Sequence, residues 1–192
     1  MSSLPISPRT RRAFWLNAMM KPERVAQILA AVCLVIIALL VGRPSFTNAS
    51  EPVRGITDPW IALQMARNVQ EVDAILGEAP SPDREVMRMK QYVDFAFIAT
   101  YLAIALVMSW ALRRRMKMAA IALAVCVAAV AVFDLLENLA ILRLLPVGLE
   151  DTTQAMINAI RAPSTLKWSL VSLAMVLVAI FYLDARRWYL RL

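Results

Sequence analysis

The chain has 192 residues, 60% of them hydrophobic, with 4 glycines, 2 cysteines, no histidine and a formal net charge of +7. This lies well above the roughly 45–50% apolar content of soluble domains, and it excludes a disordered chain, a collagen-like repeat and a disulfide scaffold. The missing histidine removes His-ligated haem, His-containing zinc sites and every catalytic triad that needs an imidazole.

The excess of hydrophobic residues is gathered into long runs, which points to an all-α integral membrane protein. A basic arm, residues 1–24, comes first. It carries Arg9, Arg11, Arg12, Lys21 and Arg24 against Glu23, with Phe14, Trp15 and Leu16 among them, a composition suited to a cytoplasmic leaflet rich in anionic lipid. Residues 25–192 are expected to form a four-helix membrane bundle. A spanning helix needs about 20 mostly apolar residues, and four runs qualify, at 25–41, 91–112, 118–142 and 165–183. The first reads as a signal anchor, although Thr47-Asn48-Ala49 resembles a cleavage site.

The loop after the first span carries its own helical signals. Asp58 is placed as an N-cap, Pro59 follows at the first helical position, and Gly77 is a stop. Between them Ile61, Met65, Val69, Val72 and Leu76 recur at helical spacing. These residues predict a short amphipathic helix over 59–76, lying on the outer surface or capping the bundle. Ser81-Pro82-Asp83 then starts a helix that can run unbroken into the second span. After the third span, residues 150–161 predict a weaker short helix ended by Pro163. Asn48-Ala49-Ser50 is a glycosylation sequon, of consequence only in a eukaryotic secretory pathway. Cys33 and Cys126 lie at similar depth in parallel spans and read as small packing residues.

The charges set the orientation. The N-terminal arm has a net charge of +4. Arg113, Arg114, Arg115 and Lys117 add +4 between the second and third spans, and Arg186, Arg187 and Arg191 against Asp184 leave +2 on the tail. The loop 43–90 has a net charge of −1, and the loop after the third span is neutral. The positive-inside rule assigns the basic segments to the cytoplasm, so both termini are expected inside and both longer loops outside. The same rule accounts for the charge without nucleic acid, for which no aromatic-basic pattern or Gly-rich phosphate loop is present.

Four charged residues fall inside the spans. Charge at mid-membrane costs about 2.5–3.5 kcal/mol on insertion scales, so such residues face the bundle interior and pair. With this orientation Asp94 and Lys167 lie near the outer ends of the second and fourth spans. Asp134, Glu137 and Asn138 lie toward the outer end of the third. Ala120, Ala124, Ala131 and Asn138 share one stripe of the third helix, and small residues at this spacing let helices approach closely. Asp94, Ile98 and Tyr101 share a face of the second. Asp94, Tyr101, Asp134, Glu137, Asn138 and Lys167 are therefore the candidate ligand-binding residues, and Asp94, Asp134, Asn138 and Lys167 are expected to line one cavity open to the outer side beneath the 59–76 helix. Lys167 can neutralise one carboxylate, so at least one acid is expected to be neutral or to hold a metal. Glu137 is the candidate if it turns away from Lys167.

Several of these residues carry a resemblance. The Trp60-to-Ala66 segment, Asp94 with Tyr101, Asp134-Leu135-Leu136-Glu137-Asn138 and Leu166-Lys167-Trp168 together resemble a family of small bacterial four-span membrane proteins that have no assigned activity. The likeness runs from about Asp58 onward and leaves the N-terminal arm out. It implies a bacterial inner membrane and directs attention to the same polar residues. It supplies no activity, substrate or cofactor.

Three functions compete. In the first, the cluster binds a lipid or a small polar ligand. In the second, Asp94, Asp134 and Glu137 hold Mg²⁺ or Ca²⁺ with Asn138 and water, or a carboxyl serves as a general acid, in a membrane enzyme acting on lipid. In the third, the chain is an accessory subunit, with a membrane-protein partner or a second copy of itself. An enzyme site of this kind usually carries more polar residues, so the binder is preferred.

Overall fold

The structure, a computed structural model, describes residues 22–42, 46–47, 53–113 and 116–189. Nearly all of them are helical: α1 (Pro22–Gly42), α2 (Pro59–Gln64), α3 (Val69–Leu76), α4 (Pro82–Leu112), α5 (Lys117–Leu144) and α6 (Gln154–Tyr189). Among the described residues the sole β-pairing is one isolated bridge between Val53 and Ile56. The fold is therefore all-α, as expected. Residues 1–21 of the basic arm, the sequon at Asn48 and the outermost tail lie outside the described residues, and Pro22, Glu23 and Arg24 belong to α1.

The four long helices pack in series. α4 lies between α1 and α5, and α5 lies between α4 and α6. Among the described residues, two helices are long and apolar enough to cross a membrane, at Pro82–Trp110 and Lys117–Leu144. The start of α4 follows from its first residues. The Ser81 hydroxyl accepts from the Arg84 N–H, Pro82 needs no hydrogen bond at the first position, and Asp83 and Glu85 lie in the first turn, where they favour the positive end of the helix dipole. The helix then continues unbroken to Leu112, as the sequence predicts.

The segment 59–76 differs from the expectation of one helix. It forms α2 and α3, broken at residues 65–68. The cause is a second N-cap. Asn68 is extended, with φ −149° and ψ 171°, and its side chain accepts from the Glu71 N–H at 2.9 Å. Glu71 reaches back to accept from the Arg67 N–H at 2.8 Å, closing a variant of the capping box. The break also changes the buried face. Ala62, Leu63 and Ala66 pack with Val72, Ile75 and Leu76 against Met87, Ile141, Leu144, Leu145, Ile157 and Ile160. Ile61, Met65 and Val69, expected in the stripe, are only half-buried. The two helices thus cap one end of the bundle with an apolar core.

The helix expected to end at Pro163 does not end. Residues 154–189 form one helix with Pro163 inside. Proline removes one backbone hydrogen bond, but Ile157 and Ile160 on one side and Ser164 and Lys167 on the other are all buried, so both halves stay packed. Tertiary packing outweighs the local penalty here.

Two polar anchors hold the capped end. Asp83, fully buried, accepts from the Thr47 N–H and hydroxyl at 2.7 and 2.8 Å, tying the chain beyond α1 to α4. Arg84 is 2% exposed, and its Nη1 donates to the carbonyls of Leu145 and Val147 at 2.9 and 2.8 Å. Its Nε and Nη2 donate to the Gly77 carbonyl at 3.0 and 2.9 Å. One guanidinium thereby serves carbonyls at the C-terminus of α5, which have no partner within the helix, and sits at the negative end of its dipole. Gly77 itself ends α3 with φ 66°, a conformation that disfavours side chains with a Cβ.

Candidate functional site

Three helices bring the sequence-predicted polar residues together. α4 supplies Asp94 and Tyr101, α5 supplies Asp134, Glu137 and Asn138, and α6 supplies Lys167. The Lys167 ammonium lies 2.9 Å from Asp134 Oδ1 and 2.7 Å from Glu137 Oε2. The Tyr101 hydroxyl donates to Asp134 Oδ2 at 3.1 Å, and Asn138 Nδ2 donates to Asp94 Oδ2 at 2.6 Å. Glu137, Asn138 and Asp94 are no more than 1% exposed. Of the small residues of the α5 stripe, Ala120 and Ala131 are buried.

Two expectations about this cluster need correction. Glu137 does not turn away from Lys167. It is ion-paired, and Asp94 is the acid that the lysine does not touch. The reason is helical phase: Asp134 and Glu137 are one turn apart on α5, so one ammonium on α6 bridges both. The cluster also does not open outward beneath the cap. One to two turns from Asp94, Asn138 and Lys167 toward the cap, Met87, Ile141 and Ile160 are at most 1% exposed and belong to the apolar core.

Four further residues join the site. The Ser164 hydroxyl lies 2.8 Å from Glu137 Oε2 and 2.7 Å from the Ile160 carbonyl, and shares its proton between them. Ser164 is three residues before Lys167 on one face, so projecting α6 from the lysine finds it. Gln91 is fully buried three residues before Asp94, and its Nε2 lies against Met87 Sδ at 3.4 Å. The Trp168 indole N–H donates to Gln64 Oε1 at 3.0 Å, and Lys167 Nζ is 5.4 Å from the Trp168 ring centre. This links α2 to the cluster by a contact 104 residues apart in sequence, which no local pattern signals. Ser172 is not part of the site; its hydroxyl turns back to the Trp168 carbonyl at 2.9 Å. Cys33 and Cys126 are free thiols, and Cys126 Sγ lies 3.5 Å from the Leu170 carbonyl.

The chemistry of the cluster is set by its surplus of acceptors. Glu137 Oε1, Asn138 Oδ1 and Gln91 Oε1 are buried and have no protein partner, and Gln64 Nε2 is a buried donor in the same condition. An unsatisfied buried polar group costs about 1–3 kcal/mol. The Asn138 amide is oriented by its donation to a carboxylate, so its oxygen is the free end. Among the described residues no group of three or more Asp, Glu, Cys or His side chains is placed to hold a metal ion. The ammonium of Lys167 occupies the position between two carboxylates that a cation would take.

Comparison with protein-family models, with curated proteins and with solved structures finds no match for this chain.

Proposed function

We propose that this chain is a four-span protein of a bacterial inner membrane, with both termini cytoplasmic, and that its buried polar cluster binds a lipid or a small polar ligand. The membrane part of the reading is supported by the inside-out distribution of side chains. Ile28, Leu34, Val125, Met175 and Val176 are more than half exposed, while Gln91, Asp94, Asp134, Glu137, Asn138 and Lys167 are buried. A protein in water hides the first set and solvates the second. In lipid the order reverses, because charged groups there turn to the bundle interior. Trp110 with Arg113 at one end of α4 and Trp168 at the other end of the bundle suit the two interfacial belts.

The observation that carries the binding function is the pair of fully buried oxygens, Glu137 Oε1 and Asn138 Oδ1, unpartnered beside an intact ion-paired set. A purely structural latch needs Lys167 and one acid. Here the third carboxyl and three spare acceptors exceed that need, and a bound polar molecule would satisfy them. Native mass spectrometry of the protein released from membranes tests this. The wild type is expected to retain one lipid or small molecule per chain, and an Asn138→Leu variant to lose it. A bare wild-type mass would count against the reading.

A further inference from the structure

We infer that the ligand of this cluster presents a primary ammonium group. The inference rests on the reading of the cluster as a binding site and names the chemistry that site would take. Three carboxyl groups face one lysine, and that lysine is already engaged by Asp134 and Glu137 at 2.9 and 2.7 Å. No cation of the cluster is left to receive an anionic ligand, and a phosphate or carboxylate would meet like charge. The free polar atoms have the same sense. Glu137 Oε1, Asn138 Oδ1 and Gln91 Oε1, on α4 and α5, are all acceptors, fully buried and without a protein partner, while the free donors nearest them in the fold, Gln64 Nε2 and Trp60 Nε1, both belong to the capping helix α2.

Asn138 and Gln91 make this more than a group of acids. Both are neutral amides at 0% exposure, and each leaves its oxygen free. The Asn138 oxygen is held within the cluster because its Nδ2 is fixed on Asp94 at 2.6 Å. A ligand that fits must bring several hydrogen-bond donors and positive charge at one atom. An ammonium brings three N–H donors and no acceptor. A hydroxyl brings one donor and no charge. A divalent metal needs several oxygen ligands at once, and no such group is assembled among the described residues. The Trp168 ring, already beside the Lys167 ammonium, adds an aromatic face of the kind that attracts cations.

The ammonium group can belong to a lipid headgroup or to a free amine, and the experiment separates them. Full-length protein in detergent, freed of lipid, is titrated with ethanolamine, putrescine, phosphatidylethanolamine, phosphatidylglycerol and tetramethylammonium. Thermal unfolding and native mass are read together. A saturable rise in melting temperature with phosphatidylethanolamine alone supports a lipid source. A rise with ethanolamine or putrescine supports a free amine. In either case Gln91→Leu, which leaves the ion pairs intact, is expected to raise the half-saturating concentration at least tenfold. A saturable rise with phosphatidylglycerol or tetramethylammonium, and none with the primary amines, overturns the ammonium inference while leaving a binding site. Silence toward every compound, with a bare native mass, overturns the site reading as well.

Discussion

The Lys167 ammonium stands 2.7 Å from Glu137 Oε2, and this contact joins α6 to α5 where the two side chains are 7% and 0% exposed. Removing one partner of a buried pair strands the other, at a cost of about 3–5 kcal/mol. Lys167→Met leaves both Asp134 and Glu137 without a counter-charge, so we expect it to destabilise the protein by at least that amount. Adding Glu137→Gln to it should recover part of the loss, because one stranded charge is then gone. Unfolding of the two variants in detergent measures the difference. Equal melting of Lys167→Met and wild type would mean that the lysine is not buried in the protein.

Asp94 is the acid outside that bridge, and it should respond in the opposite way. Its partner is the Asn138 amide, which can donate equally to an asparagine oxygen. Asp94→Asn removes a carboxylate that no lysine touches and keeps the shape. The expected change in stability is within about 1 kcal/mol, far smaller than for loss of a paired charge. Unfolding in parallel with Lys167→Met checks the contrast.

Arg84 is the second place where one side chain serves several groups. Arg84→Met would leave the carbonyls of Gly77, Leu145 and Val147 without their donor, and each unmet group costs about 1–3 kcal/mol when buried. A loss of at least about 3 kcal/mol is expected. Arg84→Lys should restore little of it, since a single ammonium lacks the planar fork that reaches Gly77 and the end of α5 together. The melting temperatures of the two variants decide the matter.

Orientation is testable without purification. The basic segments lie at the arm, at residues 113–117 and at the tail, and the proposed orientation, with both termini inside, rests on them. A cytoplasmic reporter fused after residue 192 should be active, and the same reporter near residue 55 should be silent. Activity at residue 55 would reverse the orientation.

The sequence made the all-α class legible because apolar runs of spanning length are rare outside membranes. It also brought out the polar cluster. Charged residues in an apolar helix are few enough that matching their depth pairs them, and the structure does bring Asp94, Asp134, Asn138 and Lys167 together. What depth cannot give is phase around each helix. For that reason the sequence leaves open whether Glu137 turns away from the lysine that it contacts. The break at Asn68 is hidden because apolar residues continue at helical spacing across it, and the cap that breaks the helix consists of two side-chain hydrogen bonds, at Asn68 and Glu71. The persistence of α6 through Pro163 depends on contacts with α5, which lie outside any local window. Arg84 looked like one more loop charge. Its partners at the end of α5 are 60 or more residues away, and no spacing rule reaches them.

The central claim is that Glu137 Oε1 and Asn138 Oδ1 face a bound polar ligand within an ion-paired cluster. An experimental density map of the protein in lipid nanodiscs, clear enough to show ordered water, tests it most directly. Non-protein density larger than a water is expected within hydrogen-bond distance of both oxygens, with Lys167 still between Asp134 and Glu137. Ordered water alone at that position, or Lys167 extended toward the headgroups, would contradict it.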